Sequence, residues 1–359
     1  MTNPAPLRIG ILDGDDIGLE IVPASVAIAR AAAEIHGVNI DWRPLPIGAT
    51  AFRSHGHTLP PETMETLPTL DGWILGPIGH RAYPKSPNAI NPHPILRKQF
   101  NLFANVRPTR SYPDIGCLHD GVDLIIVREN NEGFQPDRNM LVGNAEFRPN
   151  DEVTLSMRVI TRTGSSRVAR AAFELARQRR KHLTMVHKDT VFKLGCGMFV
   201  EECRKLASEF PDVLLDDVIV DTMAMRLVRD PQSFDVVVTT NMFGDILSDE
   251  AAGLVGGLGM APGLCIGDGN VAMAQATHGS APDIAGKGIA NPYAMMESTR
   301  MMFDWLGHSR SNPGAVRMAA SMSRAITSAL GDAKARTGDI RGHGNTASFT
   351  QAVLRLMET

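Results

Sequence analysis

The chain has 359 residues, of which 43% are hydrophobic and 21% charged, and its 36 Lys+Arg against 39 Asp+Glu give a formal net charge of −3. That is ordinary globular composition, long enough for two or three lobes of ~100–200 residues. A near-neutral chain has no general attraction for nucleic acid or anionic membrane, and it contains no run of ~18 apolar residues that could span a bilayer. MTNPAPLRIGILDGD lacks the basic and apolar regions of a secretion signal. The reading is a soluble cytoplasmic protein whose anion-binding power is confined to local clusters of Arg and Lys. Its four cysteines match no zinc spacing and are expected as free thiols. Tyrosine is scarce, with Tyr83, Tyr112 and Tyr293 the whole complement.

Short apolar runs alternate with helical stretches along the chain. The run LRIGIL predicts a buried strand over 7–12, then an Ala- and Ile-rich helix over 19–35 and strands over 38–42 and 72–75. The Pro-rich residues 83–94 read as a loop leading into a short helix that ends near 101. Further strands are expected over 122–127, 182–186, 217–220 and 235–239, and the alternation of 153–163 predicts a strand with an exposed face. Glycines crowd 253–269 and predict turns. A Met-rich helix follows over 292–305, whose methionines at 295, 296, 301 and 302 are assigned to packing. Strand–helix alternation of this kind implies a largely parallel sheet with helices on its faces.

Three groups of residues could carry chemistry. Asp245 and Asp249 are spaced to share a helix face, and Asp221 follows the run DVIV. Such a set fits either a solvated face or the oxygen ligands of a hard divalent cation. Arg97, Arg107 and Arg128 stand in PILRK, FANVRP and LIIVREN, and converging guanidiniums would suit a di- or tricarboxylate. Lys188, after the run LTMVH, could accept a proton if its ammonium lies beside other cations, whereas His187 reads as a packed strand end. The Gly-rich stretch HGSAPDIAGKGIANP over 278–292 is either a surface loop or a backbone cradle for phosphate, with Asp283 placed to meet ribose hydroxyls.

Taken in order, LRIGILDGDDIGLEIV, LRKQFNLFANVRP, VDLIIVREN, VHKDTVFKLGCGMF, VDTMAMRLV, FDVVVTTNMFGDILSDEAAGLVGGLG and HGSAPDIAGKGIANP resemble the β-decarboxylating dehydrogenases: the isopropylmalate, isocitrate, homoisocitrate and tartrate dehydrogenases. The resemblance covers nearly the whole chain. It implies that family's two-domain α/β fold with a mostly parallel central sheet, which is not a Rossmann fold. The first, cofactor-side domain would comprise 1–100 plus 255–359, and the second, carrying dimerisation and metal ligands, 101–254. It implies a homodimer with shared active sites, in which Lys188 and Asp221 reach into the partner's site. By the same resemblance Arg97, Arg107 and Arg128 match the binders of the substrate carboxylates, Asp221, Asp245 and Asp249 the Mg2+ or Mn2+ ligands, and Lys188 the catalytic lysine. Asp283 and Ile284 resemble the NAD form of the cofactor loop, with His278, Gly279, Ser280, Ala281, Asn291 and Asp339 as further neighbours of the dinucleotide. The implied reaction is NAD- and metal-dependent oxidation of a 2-hydroxy acid followed by loss of its β-carboxylate as CO2.

The sequence departs from that pattern in four places. Gln135 stands where the family has the Tyr that protonates the enolate, and an amide cannot donate a proton there at neutral pH. Thr190 replaces a usual Asn, Gln275 replaces a common Glu, and Asp13, Asp16 and Leu19 alter the opening turn. An active enzyme would need another acid, either a water, Lys188 or a displaced tyrosine, of which Tyr83 is the only nearby candidate by sequence. Two further readings follow from Gln135: a paralogue with altered chemistry, and a non-catalytic regulatory subunit. The segment before Arg97 presents polar Asn91 and His93, and VREN resembles the isocitrate/homoisocitrate group, so a polar γ-substituent is expected on the substrate. Replacing Gln135 by Tyr is expected to raise CO2 release from candidate hydroxy acids; an unchanged rate would show that Gln135 is not the limiting defect.

Overall fold

The computed structural model describes residues 5–133, 146–269 and 271–358. The chain forms two compact units, one of Met1–His93, Tyr112–Leu118 and Val255–Thr359, the other of Pro94–Ser111 and His119–Leu254.

In the first unit the strands run in the order Ile40–Pro44, Leu7–Leu12, Gly72–Leu75, Ala272–Ala274, Leu264–Ile266. All neighbours are parallel except the last pair. The strands Leu7–Leu12 and Gly72–Leu75 are almost wholly buried, as their uninterrupted apolar runs require of parallel strands covered on both faces. The Ala-rich helix Gly18–His36 packs against the helices Tyr293–Ser309, Pro313–Leu330 and Thr346–Met357. Met295, Met296, Met301 and Met302 are all buried in this unit's core, as expected of packing residues.

The segment Tyr112–Leu118 falls within the expected 101–254 stretch yet belongs to the first unit. Its contacts explain why. The Tyr112 and Tyr293 hydroxyls share a hydrogen bond of 3.0 Å, and Gly116 lies against the Arg341 guanidinium.

In the second unit the order is Ala104–Arg110, Asp123–Glu129, Val236–Thr239, His182–His187, Leu214–Ile219. The first pair is antiparallel and the rest are parallel. Neither strand order is that of the doubly wound dinucleotide-binding sheet. The helices Arg162–Arg177 and Asn241–Leu254 both pack on the strand Asp123–Glu129. The expected strand over 153–163 is shorter. It runs over Val153–Ser156, where among the described residues it pairs with Glu146–Asn150, and Thr161 caps the helix that begins at Arg162. Among the described residues no helix is long and apolar enough to cross a membrane. All four cysteines are free, three of them buried and Cys117 half-buried.

Candidate active site

The antiparallel strands set Arg107 opposite Ile126 and Asn105 opposite Arg128. Arg107 and Arg128 are therefore diagonal neighbours on one face of the sheet. The helix Asn241–Leu254 packs over both strands. Helical spacing lines up Asn241, Asp245, Ser248 and Asp249 along one stripe, and that stripe meets the arginines. Arg128 donates to Asp245 through Nη1 and to Asn241 Oδ1 through Nη2 at 2.7 Å. Arg107 Nη1 donates to Asp245 Oδ1 at 3.1 Å and to Ser248 Oγ at 2.7 Å, and it lies 3.9 Å from Asp249 Oδ1. Gly244 makes the approach possible: a Cβ there would sit 2.7 Å from Arg128 Cβ and Cγ.

Arg97, Arg107 and Arg128 are all buried. Burial pushes the Asp245 carboxyl up, but the guanidiniums of Arg128, Arg107 and Arg97 outweigh it and hold Asp245 below the usual carboxylate range. Asp249 goes the other way. Burial and the charge of Asp245 raise it more than Arg107 and Arg128 lower it. The cluster thus presents guanidiniums to an anion and two carboxylates to a cation.

Lys188 follows the strand His182–His187, and its Nζ is 2.5 Å from Oδ1 of Asp221, in the first turn of the helix Val220–Arg229. That hydrogen bond lowers the Asp221 pKa. His187 is buried and fixed on both ring nitrogens, with Asp217 at Nε2 and Asp189 at Nδ1, each 3.2 Å away.

In the first unit the loop from His278 to Asn291 is held at several points. Ile17 N donates to Ser280 O at 3.1 Å, Gly286 N to Glu20 Oε1 at 2.5 Å, and Ala281 adopts a left-handed φ of 45°. Asn291 Nδ2 donates to Asp339 Oδ2 at 3.0 Å, so these two predicted neighbours do meet. Asp283 and Gly279 are exposed, Ile284 is half-buried, and burial lowers the pKa of the half-buried His278.

The profile of the isocitrate/isopropylmalate dehydrogenase family matches residues 8–353. The chain belongs to this family. It is 40% identical over 355 residues to an isocitrate/homoisocitrate dehydrogenase of Thermus thermophilus, covering 98% of this chain and 99% of that protein. It is 39% identical over 352 residues to a 3-isopropylmalate dehydrogenase of Archaeoglobus fulgidus, with the same coverage. The crystal structure of isocitrate dehydrogenase from Methylococcus capsulatus superposes with a TM-score of 0.86 at 37% identity, covering 98% of this chain and 100% of that one. Membership makes the chain an α/β oxidoreductase of the dehydrogenase type.

Three expectations for a dehydrogenase of this family meet the structure differently. Asp221, Asp245 and Asp249 do not gather in the single chain; among the described residues no three acidic, His or Cys side chains form a metal cluster. Asp221 is paired with Lys188, and Asp245 with the arginines. Two carboxylates one helical turn apart, about half exposed at 47% and 51%, still suit part of a hard-cation shell. Tyr83 is a poor acid here. Its hydroxyl donates to Asp15 Oδ2 at 2.6 Å, and burial, that bond and the charges of Asp15 and Asp16 all raise its pKa. Gln135 lies outside the described residues.

The sequence reading passed over Glu129 and Glu132. Glu129 is buried and accepts from the backbone N–H groups of Asn131 and Glu132 at 2.7 and 2.9 Å. Glu132 accepts from Thr161 N and Oγ1 at 2.9 and 2.7 Å. Their signal is the doubled acid in RENNE. Burial and the charge of Glu129 push Glu132 up to about 7. A raised carboxyl adds stability that is complete below its unfolded pKa of about 4.5 and lost as pH rises through about 7. Glu132→Gln is therefore expected to flatten the loss of melting temperature from about pH 5 to 8, recovering about 2 kcal/mol at the upper end. Parallel thermal melts with equal slopes would refute this.

Proposed function

We propose that the protein oxidatively decarboxylates a 2-hydroxy acid bearing a 3-carboxylate, with NAD and Mg2+ or Mn2+. The observation that carries the reading is the pair Arg107 and Arg128 facing Asp245 and Asp249. Guanidiniums on neighbouring strands recognise carboxylates in a fixed geometry. A substrate carboxylate competes with Asp245 for the same two forks, with Arg97 adding to the attraction. Asp245 and Asp249, with Asp221 supplied by a second copy, would hold the cation. When bound, the cation supplies Lewis-acid stabilisation of the oxygen at C2, and NAD accepts the hydride. Lys188 would take the proton of the 2-hydroxyl only once Asp221 has exchanged its ion pair with Lys188 for the cation. The exposed Asp283 carboxylate suits ribose hydroxyls and disfavours a 2′-phosphate, which supports NAD.

A homodimer is supported by exposed apolar side chains on two helices that pack together, Met225 and Val228 on Val220–Arg229 and Ile246 on Asn241–Leu254. Leu194, between Lys188 and the helix Gly195–Ala207, is 89% exposed.

Isocitrate, homoisocitrate, 3-isopropylmalate, D-malate and tartrate tested with NAD and Mn2+ should show turnover of one of the first two. Turnover of 3-isopropylmalate alone would overturn the polar-pocket reading, and none without a partner chain would favour a regulatory subunit. Shared sites make a sharper demand. Lys188→Ala and Asp245→Asn should each be inactive, yet a refolded equal mixture should regain roughly a quarter of wild-type activity, because half the dimers then carry one intact site. No recovery would place Lys188 and Asp245 in the same chain's site.

The polar γ-substituent has a structural correlate in His93. Gln275 Nε2 lies 2.8 Å from His93 Nε2, and Cys265 Sγ approaches Gln275 Oε1 at 4.0 Å. An amide NH2 only donates, so His93 Nε2 is the acceptor in this bond. Gln275→Glu puts a carboxylate in place of the amide donor and should change KM for the hydroxy acid severalfold. A KM identical to wild type would exclude a role for this pair in substrate recognition.

A further inference from the structure

We infer that Arg158 is a positioning residue that fixes Lys188 relative to the helix bearing Asp245 and Asp249. The inference rests on the proposed role of Lys188. Both backbone polar groups of Lys188 bond to residues that Arg158 touches. Lys188 N donates to Cys196 Sγ at 3.4 Å, and Phe192 N donates to Lys188 O at 2.8 Å. Arg158 Nη1 donates to the same Cys196 Sγ at 3.3 Å, and its guanidinium lies 4.9 Å over the Phe192 ring.

The other side of that guanidinium engages the start of the acidic helix. Arg158 Nη2 donates to Thr240 Oγ1 at 3.0 Å, and the guanidinium is 5.3 Å from the Phe243 ring. Thr240 in turn accepts the Gly244 N–H at 2.9 Å, one residue before Asp245. The backbone beside Arg158 is itself pinned, since Val159 and Gly133 exchange hydrogen bonds of 2.8 and 3.2 Å. One planar cation, stacked on two rings and bonded to two different segments, therefore holds the distance between them. Cys196 is explained by the same arrangement: it is a buried acceptor joining an arginine to the Lys188 backbone, with no need of thiol chemistry.

The test compares Arg158→Met with Arg158→Lys in the full-length protein. Trace acylation of amines, read peptide by peptide in a mass spectrometer, reports the surroundings of Lys188 without requiring turnover. In Arg158→Met, Lys188 should label at least threefold faster relative to Lys181 and Lys205. The same variant should lose about tenfold in kcat with KM within twofold, the signature of a displaced reacting group rather than weakened binding. Arg158→Lys should recover most of both. Labelling and kcat at wild-type values in Arg158→Met would overturn the inference. Should that variant fail to fold, Thr240→Val removes a single bond of the link and should still raise Lys188 labelling; an unchanged value is equally decisive against it. Lys188→Ala separates the two ideas. Retained turnover there defeats the role of Lys188 itself, whereas loss of turnover beside a wild-type Arg158→Met defeats only the positioning role.

Discussion

Two buried arginines and one carboxylate organise the second unit. Arg107 and Arg128 are taken out of water on neighbouring strands, and each such charge costs several kcal/mol unless it is paired. Part of the compensation comes from one helix stripe, where Asp245 accepts from both guanidiniums, Asn241 from Arg128 and Ser248 from Arg107. The glycine at 244, the register of the strand pair and the helix position all follow from the need to bring that stripe close. On the proposed reading, the same arrangement also receives a substrate carboxylate. An anion that takes the place of Asp245 satisfies the same donors, so binding adds to stability by mass action.

The same dependence explains why Asp245 and Asp249, four residues apart, differ electrostatically. Asp245 lies between guanidiniums and is held ionised, while Asp249 is burdened by burial and by its neighbour's charge. Lys188 and Asp221 form a separate pair, with Asp221 well exposed. A single chain thus carries an arginine–aspartate half and a lysine–aspartate half that do not converge among its described residues. On the proposed reading, a second copy of the chain completes the site and reconciles these halves.

In the first unit Asp15 plays a comparable organising part. Its buried carboxylate accepts from Ala49 N, in the first turn of a helix, from Gly79 N and from the Tyr83 hydroxyl, gathering these segments on one side chain. Gly14 turns the chain there with φ of 75°, where a Cβ would stand 2.3 Å from Pro77 O. This is why a tyrosine that looked available by sequence is not: its hydroxyl proton is already engaged in a hydrogen bond to a carboxylate, and the phenol holds it more tightly.

By itself, the sequence determined the alternation of strands and helices, the buried Met-rich helix and the family, and it singled out the arginines, aspartates and lysine as candidates. Those features are written locally, in apolar periodicity and in motifs of fixed spacing. Edges were less legible. The short strands Leu264–Ile266 and Ala272–Ala274 were hidden among glycines, and the strand expected over 153–163 gave way to a helix capped at Thr161. Only the tertiary structure decided partners. Arg107 meets Asp245 across 138 positions of chain, Gln275 meets His93 across 182, and Glu132 acquires its raised pKa from burial and Glu129. Hydrogen bonds, burial and charge coupling depend on distance in space, and no spacing rule along the chain reports it.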